Sequence, residues 1–396
     1  MNMMWTSLKE GISGIRRLTT IDVAHVPVKI GGEIRDFTSD DVIDRKEARR
    51  MGRASQFALV AAIEAVEHAG LSREALEASG ERVGVVIGTS LGSHEMSEQA
   101  TYKYKTTGYR KPNPLALINA LPNMLSHYVS HHFGAFGHLN TPSTACAAGT
   151  QAIGMGADLI RMGRCDIVIC GAIEAILQDY TLAGFEAMNA LATGYEDAPE
   201  RASRPFDAGR SGFVSVRGGQ LLYWRAWLLR VNDMQKFMVK SWVTHHLRML
   251  ITLQHLDPEG MGAYRAMRWA LQDAHLDAGS IHYINAHGTS TIANDVMETD
   301  AIKRLLGDYA YKVPVSSTKS MLGHALAGSG AIEVVAVIQS LKDQVIAPTI
   351  NYENPDPDCD LDYVPNAARD VRGMKFVLSN SFGLGGQNAS IVLSSV

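Results

Sequence analysis

A layered α/β fold is what this sequence predicts, on three observations. An unbroken apolar run, Val83-Gly-Val-Val-Ile-Gly88, reads as a strand buried on both faces, as in a parallel sheet covered by helices. Further on, a helix over Gln151 to Met162 with Ile153, Ala157 and Ile160 on one face feeds a second short strand, Asp166-Ile-Val-Ile-Cys170. The alternation of helix and strand then returns after residue 257, so the second part of the chain repeats the first in outline. With 396 residues there is ample apolar material for one large domain or two fused halves.

Taken in order, residues 1–53 carry charge runs (Asp36 to Asp44, Arg45 to Arg53) that read as solvated surface. From Ala54 to Ala69, Leu59, Ile63 and Val66 recur at helical spacing, and Gly70 supplies a stop. Residues 89–125, with Pro112, Pro114 and Pro122, form a long excursion. Cys165 and Cys170 bracket the second strand and are assigned to the core. Beyond Val214 the composition changes. Residues 215–256 hold three of the five tryptophans, six Lys or Arg, a single acidic residue (Asp233), and no Gly or Pro after Gly219. Such a stretch admits a basic, aromatic nucleic-acid patch or a membrane-surface helix; the loss of local consistency favours a stretch read out of frame. The second half then gives a helix over Ala263 to Ala274, a strand at His282 to Asn285, a helix over Asp295 to Leu306 and another over Ala325 to Ser340. Lys375 to Asn380 and Ala389 to Ser395 read as a closing pair of strands around a Gly-rich turn.

Composition narrows the function. A net charge of −4 with mixed signs gives no footprint for nucleic acid or an anionic membrane. The four cysteines include no Cys-x-x-Cys pair and no zinc spacing, so they read as reduced thiols of a cytoplasmic protein. No run of about 18 apolar residues is present to cross a membrane, and the first residues are too short and too quickly charged for a secretory signal.

The chemistry centres on Asn140-Thr-Pro-Ser-Thr-Ala-Cys146-Ala-Ala-Gly149, a cysteine set where a small-residue turn runs into a helix. Unpaired N–H groups and the positive end of the helix dipole there favour a thiolate, and the small neighbours admit a carbonyl. Two histidines join it, His287 in Asn285-Ala-His287-Gly-Thr-Ser-Thr291 and His324 in Ser317-Thr-Lys319-Ser-Met-Leu-Gly-His324. Each lies beside glycine and small hydroxylated residues, the setting of an imidazole held at a cleft. One cysteine and two such histidines are a candidate for thiol-based acyl chemistry.

These three motifs, together with Asn380-Ser-Phe382-Gly-Leu-Gly-Gly-Gln-Asn388, resemble the four signatures of β-ketoacyl-[acyl-carrier-protein] synthases of the elongating Cys-His-His type. They stand in the family's order, with separations of 141 and 37 residues between Cys146, His287 and His324. The resemblance implies a thiolase-like duplicated α/β/α/β/α fold. It implies a first half over residues 1–214, an anomalous segment over 215–256 and a second half over 257–396. Cys146 would carry an acyl chain as a thioester, with the N–H groups of Cys146 and Phe382 as the oxyanion hole. His287 and His324 would serve decarboxylation of malonyl-carrier protein, with Lys319 and Glu333 in support. Thr289 and Thr291 would contact the phosphopantetheine arm, and Phe382 with Gly383 would gate the site. An ion pair of purely structural value is the rival reading of Lys319 and Glu333, and a strand-end cap that of the threonines. No cofactor or metal is implied beyond the arm carried by the substrate; the partners would be acyl-carrier protein and a second copy of the chain, with no nucleic acid and no membrane.

Two departures from the family stand out. A buried apolar strand and Gly-rich turn expected about 20 residues ahead of Trp5 are missing, which would take a central strand from the first sheet. In residues 215–256 the family would place Gly-Glu-Gly-Ala, a strand, a helix and another strand. They leave a truncated or frame-damaged, non-catalytic homologue as the alternative. A thiolase would instead carry a second cysteine where Ser381 and Phe382 stand, an initiating synthase asparagine in place of His324, and a chain-length factor no Cys146.

Overall fold

The computed structural model describes residues 2–35, 37–40, 42–110, 112–216, 227–230, 239–243 and 260–395. An N-terminal helix, α1 (Asn2–Lys9), opens the chain, and its Trp5 is buried against Met321, Ala336 and Ala347, with the indole N–H donated to Asp343. The charge runs do lie at the surface, with Asp40, Asp44, Arg45, Lys46, Glu47, Arg49 and Arg50 exposed.

Helix α2 (Arg53–His68) has the expected face, with Leu59 and Val66 buried, and Gly70 follows it at φ +65°. Strand β1 (Val83–Gly88) is buried at every residue. The excursion after it is helical, with α3 (His94–Thr106), α4 (Pro114–Asn119, proline in its first turn) and α5 (Met124–Phe133). The excursion accommodates Pro114 because a proline at a helix start costs little, its missing N–H having no intrahelical partner to lose. Strand β2 (Leu139–Asn140), helix α6 (Ala148–Arg161) and strand β3 (Ile167–Ala172) follow, and β4 (Trp227–Arg230) completes a sheet in the order β2-β1-β3-β4. The first three strands are parallel and β4 is antiparallel to β3.

The second sheet has the order β5-β9-β8-β6-β7, built from β5 (Val239–Val243), β6 (Tyr283–Asn285), β7 (Val315–Ser316), β8 (Phe376–Gly383) and β9 (Gln387–Ser394). Its helices are α7 (Met261–Asp273), α8 (Ile292–Leu306), the short α9 (Lys319–Leu322) and α10 (Ser329–Asp343). Strands β7, β6 and β8 are parallel, β9 is antiparallel to β8, and β5 is antiparallel to β9. Without β5, this sheet repeats the first in both chain order and strand direction. That shared topology is the duplication, which the residues alone are too dissimilar to reveal.

Helices α6 and α10 lie between the two sheets. One apolar cluster joins Val86, Val168 and Cys170 of the first sheet through Ile153, Ala157, Val334 and Val337 of these helices to Tyr283, Val377 and Ile391 of the second. Helices α2 and α5 cover the outer face of the first sheet, α7 and α8 that of the second. The five layers α/β/α/β/α follow.

Two expectations need restating. The frame-damaged reading of residues 215–256 falls, apart from Ser215, Val216, β4 and β5, on residues outside those described; within it, β4 and β5 each take a place in a different sheet. The N-terminal strand expected in a central position has its counterpart in β5, which lies at a sheet edge beyond the antiparallel strand. An edge strand carries one ladder of backbone hydrogen bonds, not two, so that position contributes less to the sheet than a central one.

The central helices meet end to end through glycine. A Cβ at Gly149 would lie 2.7 Å from the Ala327 carbonyl oxygen and 2.9 Å from the Ala331 nitrogen, and one at Gly330 2.7 Å from the Thr150 nitrogen. We expect Gly149→Ala to destabilise the protein by about 1–3 kcal/mol through overpacking against backbone. Gly184→Ala, in the helix Asp179–Ala187 with open space around it, should be neutral or slightly stabilising. Paired denaturation curves check both, and equal stability of the two variants would remove the crossing as a constraint.

Candidate active site

Cys146 lies in a 3-10 turn, Ala145–Ala147, between β2 and α6. Ala145 takes φ +49°, a left-handed conformation that turns the chain sharply into the helix. In the second half the corresponding turn is Leu326–Gly328 ahead of α10, with Leu326 also at φ +49°. Repeated turns ahead of crossing helices bring the two motifs to one point.

There the Cys146 sulfur stands 3.0 Å from Nε2 of His324. The rings of His287 and His324 are edge to face at 5.4 Å, and ligand atoms of Cys146, His287 and His324 all lie within 4.8 Å of one another. All three side chains are buried. Apolar packing comes from Ile176, Leu177, Leu182, Leu191 and Phe213, and the Phe213 ring meets His324 edge-on at 5.3 Å.

His287 is held through its main chain. Its N–H and that of Gly288 each donate to Glu298 at 2.8 Å, while its carbonyl accepts from Lys319 Nζ at 2.6 Å. Among the described residues its Nδ1 has no hydrogen-bond partner. Lys319 is 2% exposed and pairs with the equally buried Glu333, so its charge sits behind His287. His324 is held through its ring, with Nδ1 2.9 Å from the Ser329 hydroxyl, and through its N–H, donated to the Val214 carbonyl at 2.7 Å.

Burial pushes both imidazoles well below their usual pKa, and the Lys319 charge adds to this, so they are neutral. Burial also pushes the Cys146 thiol up to about 12, while Lys319 and the N–H groups of Leu384 and Cys146 pull it down. The expectation of a thiolate is therefore not met at rest, because removal from water outweighs the N–H groups and charge that favour the anion.

The other expected residues fall around this centre. Phe382, 2% exposed at the end of β8, faces His287 with ring centroids 5.7 Å apart. At Gly383 a Cβ would lie 2.8 Å from the Thr144 carbonyl oxygen, so only glycine lets this strand end reach the cysteine turn. The Thr289 and Thr291 hydroxyls bond each other at 2.8 Å, and although Thr291 is the N-cap residue of α8 its side chain makes no capping bond to that helix.

Sequence reading did not single out Glu298, Ser329 or Leu384. Burial pushes the Glu298 carboxyl up to about 7 against the pull of its N–H donors, and Asn380 donates to it at 3.1 Å. Glu298 was legible only as a polar residue on the inner face of a helix. The signal for Ser329 would be that it is the one hydroxyl in Ala325-Leu-Ala-Gly-Ser-Gly-Ala331.

The chain matches "Beta-ketoacyl synthase, N-terminal domain" over residues 1–222 and "Beta-ketoacyl synthase, C-terminal domain" over residues 250–353. It is 41% identical to the 3-oxoacyl-[acyl-carrier-protein] synthase 2 of Synechocystis sp., covering 98% of this chain and 92% of the relative. It is 40% identical to the enzyme of the same name from Staphylococcus aureus, covering 98% and 95%. Among solved structures it is similar to a type II polyketide ketosynthase bound to the hexaketide in complex with its acyl-carrier protein, with TM-score 0.83, 31% identity and coverage of 100% and 95%. It is also similar to a β-ketoacyl synthase from Burkholderia phymatum, with TM-score 0.84, 31% identity and the same coverage. With its thiolase-like fold and its clustered cysteine and histidines, this chain belongs to the β-ketoacyl synthase family of acyltransferases.

Proposed function

We propose that this protein extends an acyl chain by two carbons, condensing an acyl group held on Cys146 with malonyl-carrier protein in fatty-acid or polyketide synthesis. The observation that carries the reading is the placement of one thiol 3.0 Å from a neutral imidazole, with a second imidazole beside it, in an apolar setting. In the first half-reaction the Cys146 sulfur adds to the acyl thioester; the carbon–sulfur bond to the carrier breaks, and the thiol proton ends on the departing carrier thiol. The N–H groups of Cys146 and Phe382 stabilise the tetrahedral oxyanion.

In the second half-reaction malonyl-carrier protein loses carbon dioxide. The electron pair of the broken carbon–carbon bond becomes an enolate whose oxygen takes hydrogen bonds from His287 and His324. Its carbon then attacks the Cys146 thioester and frees the thiolate. Lys319 and Glu333 set the position and neutrality of His287, and Thr289 and Thr291 contact the arm of the carrier. Phe382 and Gly383 gate the entrance, with Gly385 and Gly386 at φ +90° and +77° supplying a turn of low steric cost. No cofactor is required beyond the phosphopantetheine of the substrate. Four buried free cysteines fit a reducing cytoplasm, and no helix among the described residues is long and apolar enough to cross a membrane.

The partner beside acyl-carrier protein is a second copy of the chain. Strand β2 ends its sheet, paired only with β1 among the described residues, and Leu139 on it and Phe136 before it are 48% and 74% exposed. An open edge flanked by apolar side chains fits antiparallel pairing with the same edge of another copy.

Three outcomes test these readings. Cys146→Ala should abolish acyl transfer, seen as loss of the acyl adduct by intact-mass spectrometry, while carbon dioxide release from malonyl-carrier protein persists; His287→Ala or His324→Ala should cut that release by about 100-fold or more. Full condensation by Cys146→Ala would sink the mechanism. Because both imidazoles are held neutral well below the usual 6.5, carbon dioxide release by Cys146→Ala should be flat as pH falls from 8 to 6. An inflection near 6.5 would show histidines in contact with water. Phe136→Asp should shift the protein from dimer to monomer in light scattering, and an unchanged mass would move the interface elsewhere.

A further inference from the structure

We propose that Ser329 is a positioning residue that fixes His324 as a hydrogen-bond donor at Nε2, by giving its own hydroxyl proton to Nδ1. This rests on the reading that Cys146, His287 and His324 carry out condensation.

Donors and acceptors around the Ser329 hydroxyl can be paired in only one way. The Ser329 oxygen lies 3.0 Å from the Ala325 N–H, which has a proton to give and no capacity to accept. That bond is settled, with the serine oxygen as acceptor. The same oxygen lies 2.9 Å from His324 Nδ1, and among the described residues its hydroxyl makes no other hydrogen bond. Ser329 is 2% exposed, so its proton has no solvent to turn to. Were Nδ1 protonated, two N–H groups would point at the serine oxygen and the hydroxyl proton would be left buried without an acceptor, at a cost of about 1–3 kcal/mol. With Nδ1 as acceptor every proton has a place. In a neutral ring the remaining proton must be on Nε2, which faces the Cys146 sulfur at 3.0 Å.

The two histidines therefore differ in kind. His287 is fixed through its main chain, and among the described residues its ring Nδ1 has no partner, so nothing dictates its tautomer. His324 is fixed through Nδ1 and offers one N–H. It can donate to sulfur at rest and to the enolate oxygen during decarboxylation, but it cannot take the Cys146 proton at Nε2, which is already occupied. The imidazolium form is disfavoured as well, since it would put an N–H against the serine hydroxyl.

The test is the nitrogen-15 spectrum of the His324 ring together with steady-state kinetics on the whole protein. In the wild type Nδ1 should show the shift of an unprotonated nitrogen and Nε2 that of a protonated one. Ser329→Ala should mix the two tautomers and lower kcat about tenfold, with KM for malonyl-carrier protein nearly unchanged, and Ser329→Thr should restore the wild-type pattern and most of the rate. A protonated Nδ1 in the wild type overturns the proposal, as does Ser329→Ala with both spectrum and kcat unchanged. Because the wild-type spectrum needs no variant to fold, loss of Ser329→Ala to instability leaves the question decidable. It also reads the tautomer whether or not the protein condenses anything, so a wild type that forms no acyl-Cys146 defeats the functional reading and not this one.

Discussion

The close approach of two helix starts, allowed by Gly149 and Gly330, is the constraint on which the site depends. The two sheets are separate in sequence and each could carry its own loops. What brings Cys146 and His324 to 3.0 Å is that α6 and α10 begin at the same place in the central layer, each after a turn with a residue at φ +49°. Glycine is required on both sides because the obstacles to a Cβ include backbone atoms across the crossing, the Ala327 oxygen and Ala331 nitrogen at Gly149 and the Thr150 nitrogen at Gly330, which cannot rotate away. The Thr150 hydroxyl, bonded to Ser381 at 2.8 Å, ties the same crossing to the end of β8 and so to Phe382.

Around this crossing the protein holds charge close but not in contact. Lys319 and Glu333 are a buried pair whose separation would leave an uncompensated ion, a loss of about 3–5 kcal/mol. Burial keeps the imidazoles neutral, and the lysine of this pair, facing the His287 carbonyl, adds to it by repulsion. Neutral imidazoles and a protonated thiol make a site without net charge at rest. Such a site does not repel the carboxylate of a malonyl group, and it presents N–H dipoles already oriented toward the charge that forms when carbon dioxide leaves.

Much of this was legible in the residues. The strand at Val83 to Gly88, the helix after Cys146 and the closing pair around Gly385 come directly from apolar runs and glycine placement, the first because it is buried on both faces and the helix because its apolar residues recur at helical spacing. The helices within residues 89–125 were not, since proline reads as a breaker unless the first turn of a helix is considered. Nor was the duplication, which resides in strand order and direction and leaves no mark on composition. Cys146, His287 and His324 stood out by their glycine and hydroxyl neighbours. Their thiol and ring protonation did not, because burial depends on how α6, α10 and the segment from Ile176 to Phe213 close over them, a property of the assembled core.

Separating the two histidines by what holds them also separates the chemistry each can perform. A base must have a nitrogen with a free lone pair toward its substrate, whereas a donor to an enolate must not. The N–H groups of Cys146, in its own turn, and of Leu384, in the turn after β8, serve the sulfur, so the anion that forms there is met by donors and needs no permanent base beside it. In a pocket this apolar, an idle base would favour proton loss at the wrong moment, while a donor costs nothing until charge develops. A duplicated fold that brings two imidazoles to one sulfur can thus use both in the same sense, as donors, and the identity of the residue five positions after His324 decides whether the second is free to do anything else.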